Sequence, residues 1–276
     1  MTPDQKHNIL IFLLVMAFFT GATIQLSEGS VLIGVMMFLI ALALTTKIRL
    51  SGTYITKSSK FFIVLGLLIV LADVAYNLKA MNQLGTLDSM TFFMGASFMA
   101  YGTNQYRRMG EFGIYMSGTF IVLFQFFYSV LPSLNNNFIH VFDHYFVLLP
   151  SLAIATFFTN IDIHVIATET VHFKGFEDAT VVVGGPCSGL YSMFLLIGII
   201  VGYAKMESLK DKRRIILLVV LAIFVAYIAN LVRVAVLFNV GYYYGIEKMM
   251  FVHVHLGWII FVITAFSIMM ILNKTK

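Results

Sequence analysis

Three scarce kinds of side chain in this chain have the types that acyl-transfer chemistry needs: the thiol of Cys187, the guanidinium of Arg233, and the imidazoles of His253 and His255. A thiol attacks as thiolate, the form that helix N-termini and nearby cations favour. An imidazole within reach removes the thiol proton and later delivers it to a leaving amine. A guanidinium stabilises a developing oxyanion, or fixes a carboxylate or phosphate. Glycines at 184, 185 and 189 bracket the cysteine and carry no side chain to keep a substrate backbone away. Each residue also has a plain reading. Cys187 fits a small buried hydrophobe, Arg233 a snorkelling or lipid-phosphate-binding cation, and His253 a packed interfacial ring.

The elements that must position these groups are set by composition. Of 276 residues, 60% are hydrophobic and 11% charged. A soluble domain carries about 25% charged and 45–50% apolar residues, so this chain is a polytopic membrane protein. The composition excludes a water-soluble enzyme and a disordered chain, and one cysteine excludes an intrachain disulfide framework. The net charge of +5 sits in clusters that abut apolar runs, which is the positive-inside pattern. No cluster interleaves with aromatic platforms, so nucleic acid is not an expected partner.

Apolar runs lie at about 9–26, 31–46, 61–78, 88–104, 112–131, 138–160, 187–204, 215–240 and 251–273, against a requirement of roughly 17–25 residues per span. The first follows a short polar start without a small-x-small cleavage site, and reads as a retained span. The loops 47–60, 105–111 and 205–214 and the tail are basic, so all belong on the cytoplasmic side. Three runs separate the second loop from the third, so one must fail to cross. The choice falls on 138–160, which holds His140, Asp143, His144 and Pro150. The expected fold class is therefore an all-α polytopic membrane protein in one integral domain, 1–276. It has about eight transmembrane helices, an oblique or re-entrant outer helix, and a small extracytoplasmic β-hairpin. The hairpin is read from two β-branched runs, Ile161–Phe173 and Ala179–Val183, joined through Gly175.

On that topology Cys187 opens an inward-running helix, and His253 and His255 open the last one. Arg233 lies about 18 residues into its helix, or roughly 27 Å, near the outer edge of the hydrocarbon. The three groups then share one layer.

The segments Gly185-Pro-Cys-Ser-Gly-Leu190, Asn230-Leu-Val-Arg-Val234 and His253-Val-His-Leu-Gly-Trp-Ile-Ile-Phe261 resemble the exosortase/archaeosortase family in order, spacing and membrane setting. The likeness covers about 120–276, so 106–276 is the expected catalytic region and 1–105 adds generic helices. The resemblance implies a membrane cysteine transpeptidase of the cell membrane with its site on the extracytoplasmic side. Its substrates would be secreted proteins with a C-terminal sorting tail of short motif, membrane stretch and basic end. The new C-terminus would pass to a lipid or other acceptor, with no cofactor or metal. Carried over, Cys187 is the nucleophile, Arg233 the activating or oxyanion-stabilising cation, and His253 the general base, four residues before Gly257. Ser188, Gly189, Asn230 and His255 are the expected substrate-binding residues. Proline before the cysteine, where bacterial members often have alanine, suggests an archaeal-type or divergent branch.

Other polar groups admit further readings. Asp73 and Asn77 share a helix face, which suits interhelical hydrogen bonding better than an ion path. His140, Asp143 and His144 have helical metal-site spacing, but with no third strong ligand nearby an interfacial polar patch is expected. His164 and His172, an even number apart on the expected hairpin, share a face. The rival classes are a small-solute or ion transporter, which needs paired repeats or broken helices, and a non-catalytic lipid-binding protein.

Overall fold

The computed structural model describes residues 11, 14, 15, 18, 21, 22, 31–45, 59–80, 85–103, 106–135, 137–206, 209 and 211–274. Most of the expected first span and the basic loop after residue 45 lie outside these. Helices dominate: α1 (Val31–Thr45), α2 (Lys60–Ala80), α3 (Thr86–Gly102), α4 (Arg107–Leu134), α5 (Phe138–Phe158), α6 (Leu190–Met206), α7 (Lys212–Tyr244) and α8 (Ile246–Lys274). Each follows one of the apolar runs to within a few residues. Five of them contain a stretch long and apolar enough to cross a membrane, namely α2, α4, α5, α7 and α8, while α1 and α6 are shorter apolar helices. The expected total of eight spans is thus reached only in part among the described residues. The run singled out as non-crossing, 138–160, forms a continuous helix of 21 residues, so length does not set it apart.

By contacts the chain forms two compact units. One comprises residues up to Val122, Phe194–Leu221 and Ala265 onward; the other comprises Leu123–Met193 and Ala222–Thr264. In the first, α2 and α3 form a hairpin, with the Ser59 N–H donating to the Gly102 carbonyl at 3.0 Å. A Cβ on Gly95 would lie 2.9 Å from the Gly66 carbonyl oxygen, and one on Gly202 2.7 Å from that of Phe112. Small residues that let backbones touch are how helices associate in lipid, where hydrophobicity provides no drive between them.

In the second unit, α4 and α5 both carry π-helical stretches, Phe126–Val130 and Asp143–Leu148. Such bulges widen the turn and re-aim side chains. Between α5 and α6 lies a three-stranded antiparallel sheet in the order β1 (Ile163–Ala167), β2 (Thr170–Lys174), β3 (Asp178–Val182). This corrects the two-stranded hairpin expected from sequence. The run Ile161–Phe173 is too long for one strand of ordinary length, and it folds back at Thr168-Glu169. His164 and His172 consequently face each other across β1 and β2. Their imidazoles pair with Asp162 and Asp178, at 2.8 and 3.0 Å.

One sheet face is apolar by strand alternation. Val171 and Phe173 are fully buried and pack with Val147, Leu148, Val234, Phe238 and Met249. The β2–β3 turn is tied to the end of α7, the Phe176 N–H donating to the Tyr242 carbonyl at 2.8 Å. Gly245, with φ of +86°, then ends α7 in the left-handed conformation common at helix C-termini. The Ile246 N–H, first of α8, donates to Glu177 Oε2 at 3.4 Å.

Phe173→Ala should lower unfolding free energy by about 3–5 kcal/mol, read as a marked drop in the thermal-shift midpoint in detergent. Ile166→Ala, at a residue 59% exposed, should change it by roughly 0.5 kcal/mol or less.

Candidate active site

The cysteine stands at the end of a short, tightly wound loop. β3 leads through Val183, whose N–H donates to the Glu169 carbonyl, into extended Gly184 and then a 3-10 turn, Gly185–Cys187. Gly185 and Gly189 have φ of +51° and +75°, so the turn on either side of Cys187 is built on left-handed residues. Gly189 also lies flush against α7, where a Cβ would come within 2.6 Å of the Asn230 side chain. The turn is held from outside too: the Gly185 N–H donates to Asp143 Oδ2 at 3.2 Å. Asp143 is wholly buried, at 0% exposure.

Two helices bring the other groups to this loop. Gly245 sits between α7 and α8; Arg233 lies 12 residues before it and His253 8 residues after it. At 1.5 Å per residue both are about 12–18 Å down the hairpin from its turn. The apolar run 251–273 puts His253 at the opening of its helix. The structure starts α8 at Ile246 and continues α7 to Tyr244, so the layer is two to three turns inside the helix pair.

The layer itself is compact. Cys187 Sγ lies 3.8 Å from His253 Nδ1, and Arg233 Nη2 lies 3.5 Å from the same nitrogen. A guanidinium carries only donors, so Nδ1 is the accepting nitrogen, and the neutral ring carries its proton on Nε2, a tautomer assigned from these contacts. Both contacts are long for hydrogen bonds. Asn230 joins the cluster from both ends: its Nδ2 donates to the Cys187 carbonyl at 2.9 Å, and its Oδ1 accepts from Arg233 Nη1 at 3.5 Å. Arg233 Nε is enclosed and has no hydrogen-bond partner among the described residues.

The spacing His253-x-x-x-Gly257 has a steric reason. Residues four apart share a helix face, and a Cβ on Gly257 would meet the Arg233 guanidinium carbon at 3.3 Å. Glycine therefore leaves the room in which Arg233 lies across α8 beside His253. His255 faces elsewhere: its Nδ1–H donates to the Phe251 carbonyl at 2.8 Å, and its ring stacks on Phe251 with centroids 4.4 Å apart.

The remaining residues singled out from sequence are placed as follows. Ser188 is 1% exposed and its Oγ lies 3.4 Å from the Tyr128 hydroxyl while accepting from the Leu190 N–H. Asn230 and Gly189 contact each other and the loop rather than open space. The three residues with metal-site spacing diverge. The Nδ1–H of His140 donates to Glu169 at 2.8 Å and that of His144 to the Thr168 carbonyl at 2.6 Å, both pinning the β1–β2 turn, while Asp143 holds Gly185. Asn77 Nδ2 donates to the Asp73 carbonyl of its own helix at 2.9 Å, an intrahelical bond where an interhelical one was expected. Sequence reasoning missed Asp143 and Tyr128 as parts of the site. An acid within an apolar run was visible, but nothing along the chain links position 143 to position 185.

An apolar multi-helix chain with a thiol, an imidazole and a guanidinium gathered from three segments defines a membrane protein with a candidate nucleophilic site. The sequence model of the transmembrane exosortase family matches residues 27–270, most of the chain. The protein is a multi-pass membrane protein of the transmembrane exosortase family. No curated protein and no solved structure matches it.

His253→Ala should slow alkylation of Cys187 by iodoacetamide at neutral pH, because the acceptor for the thiol proton is gone. His255→Ala should leave that rate unchanged. Mass-spectrometric labelling time courses on the purified protein check both.

Proposed function

We propose that this protein is a membrane cysteine transpeptidase. It cleaves secreted proteins near a C-terminal sorting tail at the extracytoplasmic face of the cell membrane, and passes the new C-terminus to a lipid or other acceptor. The observation that carries the reading is the His253 Nδ1 atom, which has Cys187 Sγ on one side at 3.8 Å and Arg233 Nη2 on the other at 3.5 Å. Membership of the transmembrane exosortase family supports the same chemistry.

Each group takes a role its chemistry suits. The thiol proton passes to His253 Nδ1, and the Cys187 sulfur attacks the scissile carbonyl carbon. The C=O electron pair moves to oxygen, and the Arg233 cation stabilises that charge in a water-poor layer where such stabilisation is strongest. As the C–N bond breaks, the imidazolium returns its proton to the leaving amine, and a thioester remains on Cys187. An acceptor nucleophile, deprotonated by His253, attacks the thioester and releases the sulfur. Water in place of the acceptor yields simple cleavage.

Asn230 and Asp143 serve as positioning residues in this scheme. Asn230 ties the Cys187 carbonyl to Arg233, and Asp143 fixes the turn at Gly185. Gly257 keeps the guanidinium beside the imidazole.

The assay is co-expression of the enzyme with a tail-bearing secreted protein, read by the mass of the product's C-terminus. Cys187→Ala should abolish processing while the protein still accumulates in the membrane. Full processing by that variant would overturn the nucleophile assignment. Arg233→Gln should lower the processing rate by about 10²–10³-fold, the usual cost of one oxyanion donor. Gly257→Ala should lower it less, because only the guanidinium is displaced.

A further inference from the structure

The sheet beside the nucleophile has two edges, and they are built differently. β1 carries a register shift between Val165 and Ala167. A bulge of this kind is one of the devices by which proteins blunt an exposed edge. β3 carries none: its five pairs with β2 run unbroken from Lys174↔Asp178 to Thr170↔Val182. No strand pairs with its far side among the described residues.

The direction of the β3 backbone groups follows from the ladder. The Val183 N–H donates to the Glu169 carbonyl, which makes Glu169 and Val183 a hydrogen-bonded pair. In an antiparallel ladder such pairs alternate with non-bonded ones. Ala179 and Val181 therefore turn their N–H and C=O groups toward β2, while Asp178, Thr180 and Val182 turn theirs to the open edge. The neighbouring ladder agrees. The Lys174 N–H donates to the Asp162 carbonyl, which sends the even-numbered residues of β2 toward β1 and leaves its odd-numbered ones for β3.

The open row runs into the active-site loop without a break. Val182 is two residues before Gly184, and Cys187 closes the 3-10 turn that follows. The side chains that flank the edge on the outer face, Thr180 and Val182, are exposed, and Val182 is 66% exposed. The other face of the same strand packs on the core through Val181.

We infer that the outer edge of β3 is the substrate groove: an extended polypeptide segment on the acyl side of the scissile bond pairs with the open N–H and C=O groups of Thr180 and Val182 and is delivered by that pairing to Cys187. The inference rests on the transpeptidase reading and specifies how that site holds its substrate. Strand addition draws affinity from main-chain hydrogen bonds, which every sequence can make, and leaves selectivity to alternate side chains. It commits the occupant to a β-conformation. A tail that enters as a helix keeps its amides bonded within itself and gains nothing from this edge.

The test uses peptidyl chloromethyl ketones of alternating valine and threonine as probes of Cys187 in the purified full-length protein, with iodoacetamide as the small reference alkylator. The peptidyl probe should label Cys187 with a saturable rate that iodoacetamide lacks. Methylating the probe's backbone nitrogens one at a time should slow labelling by about 5- to 100-fold at every second residue, the cost of leaving a backbone group unpaired, and leave the intervening positions unaffected. Thr180→Pro removes an outward N–H that β2 does not use, a place where edge strands tolerate proline. It should slow the peptidyl probe while iodoacetamide still labels Cys187, which shows that the loop is intact.

Equal tolerance of N-methylation at all positions, or unchanged peptidyl labelling in Thr180→Pro, would overturn the strand-addition inference with the nucleophile assignment still standing. Failure of the transpeptidase reading shows differently, as processing that survives Cys187→Ala.

Discussion

A guanidinium taken from water into an apolar helix pair is costly unless its donors find partners and its charge finds use, and Arg233 is arranged around that constraint. Nη1 is turned to Asn230 and Nη2 to His253, and a glycine at 257 provides the space in which the group lies across α8. The same contacts fix His253 Nδ1 as an acceptor, and that nitrogen lies 3.8 Å from the thiol sulfur. Moving the guanidinium would therefore release the imidazole, the Asn230 amide and, through it, the Cys187 carbonyl. Asn230-x-x-Arg233 on α7 and His253-x-x-x-Gly257 on α8 are two halves of one packing solution, each using a helical neighbour spacing.

The site's depth is a consequence of how the helix hairpin is closed. The β2–β3 turn bonds to Tyr242, Glu177 receives the first amide of α8, and Gly245 supplies the left-handed residue between the helices. These contacts lie at the end of the hairpin, and Arg233 and His253 lie two to three turns below. A π-helical stretch that opens on the fully buried Asp143 then ties α5 to the cysteine loop. A buried carboxylate bonded to a backbone amide fixes one loop conformation, which suits a turn built on two left-handed glycines.

Much of the site was legible from sequence because its residue types are scarce. One cysteine, one arginine within an apolar run and a histidine four before a glycine stand out against a chain of aliphatic and aromatic residues. Their joint placement followed from counting residues along helices. The depth is not legible, because the helices extend beyond the apolar runs 215–240 and 251–273. Tyr242–Tyr244 and Glu247–Lys248 dilute the apolar pattern, yet the helices continue through them. The third strand was missed because its turn, Thr168-Glu169, contains no glycine, proline or asparagine and so lacks the usual punctuation. Asp143 was beyond reach for another reason: its partner is a backbone amide 42 residues away, and a backbone amide leaves no mark on the sequence. The helices α2 and α3, by contrast, are plain from the apolar runs 61–78 and 88–104.

The central claim is that the Cys187 sulfur carries the acyl group between donor and acceptor. Its most direct test is to quench a processing reaction in acid and map the enzyme by mass spectrometry. An adduct is expected on the peptide containing Cys187, equal in mass to the new C-terminal acyl fragment and released by hydroxylamine as thioesters are. Active processing in which Cys187 stays unmodified, with the acyl group found on another residue, would contradict it.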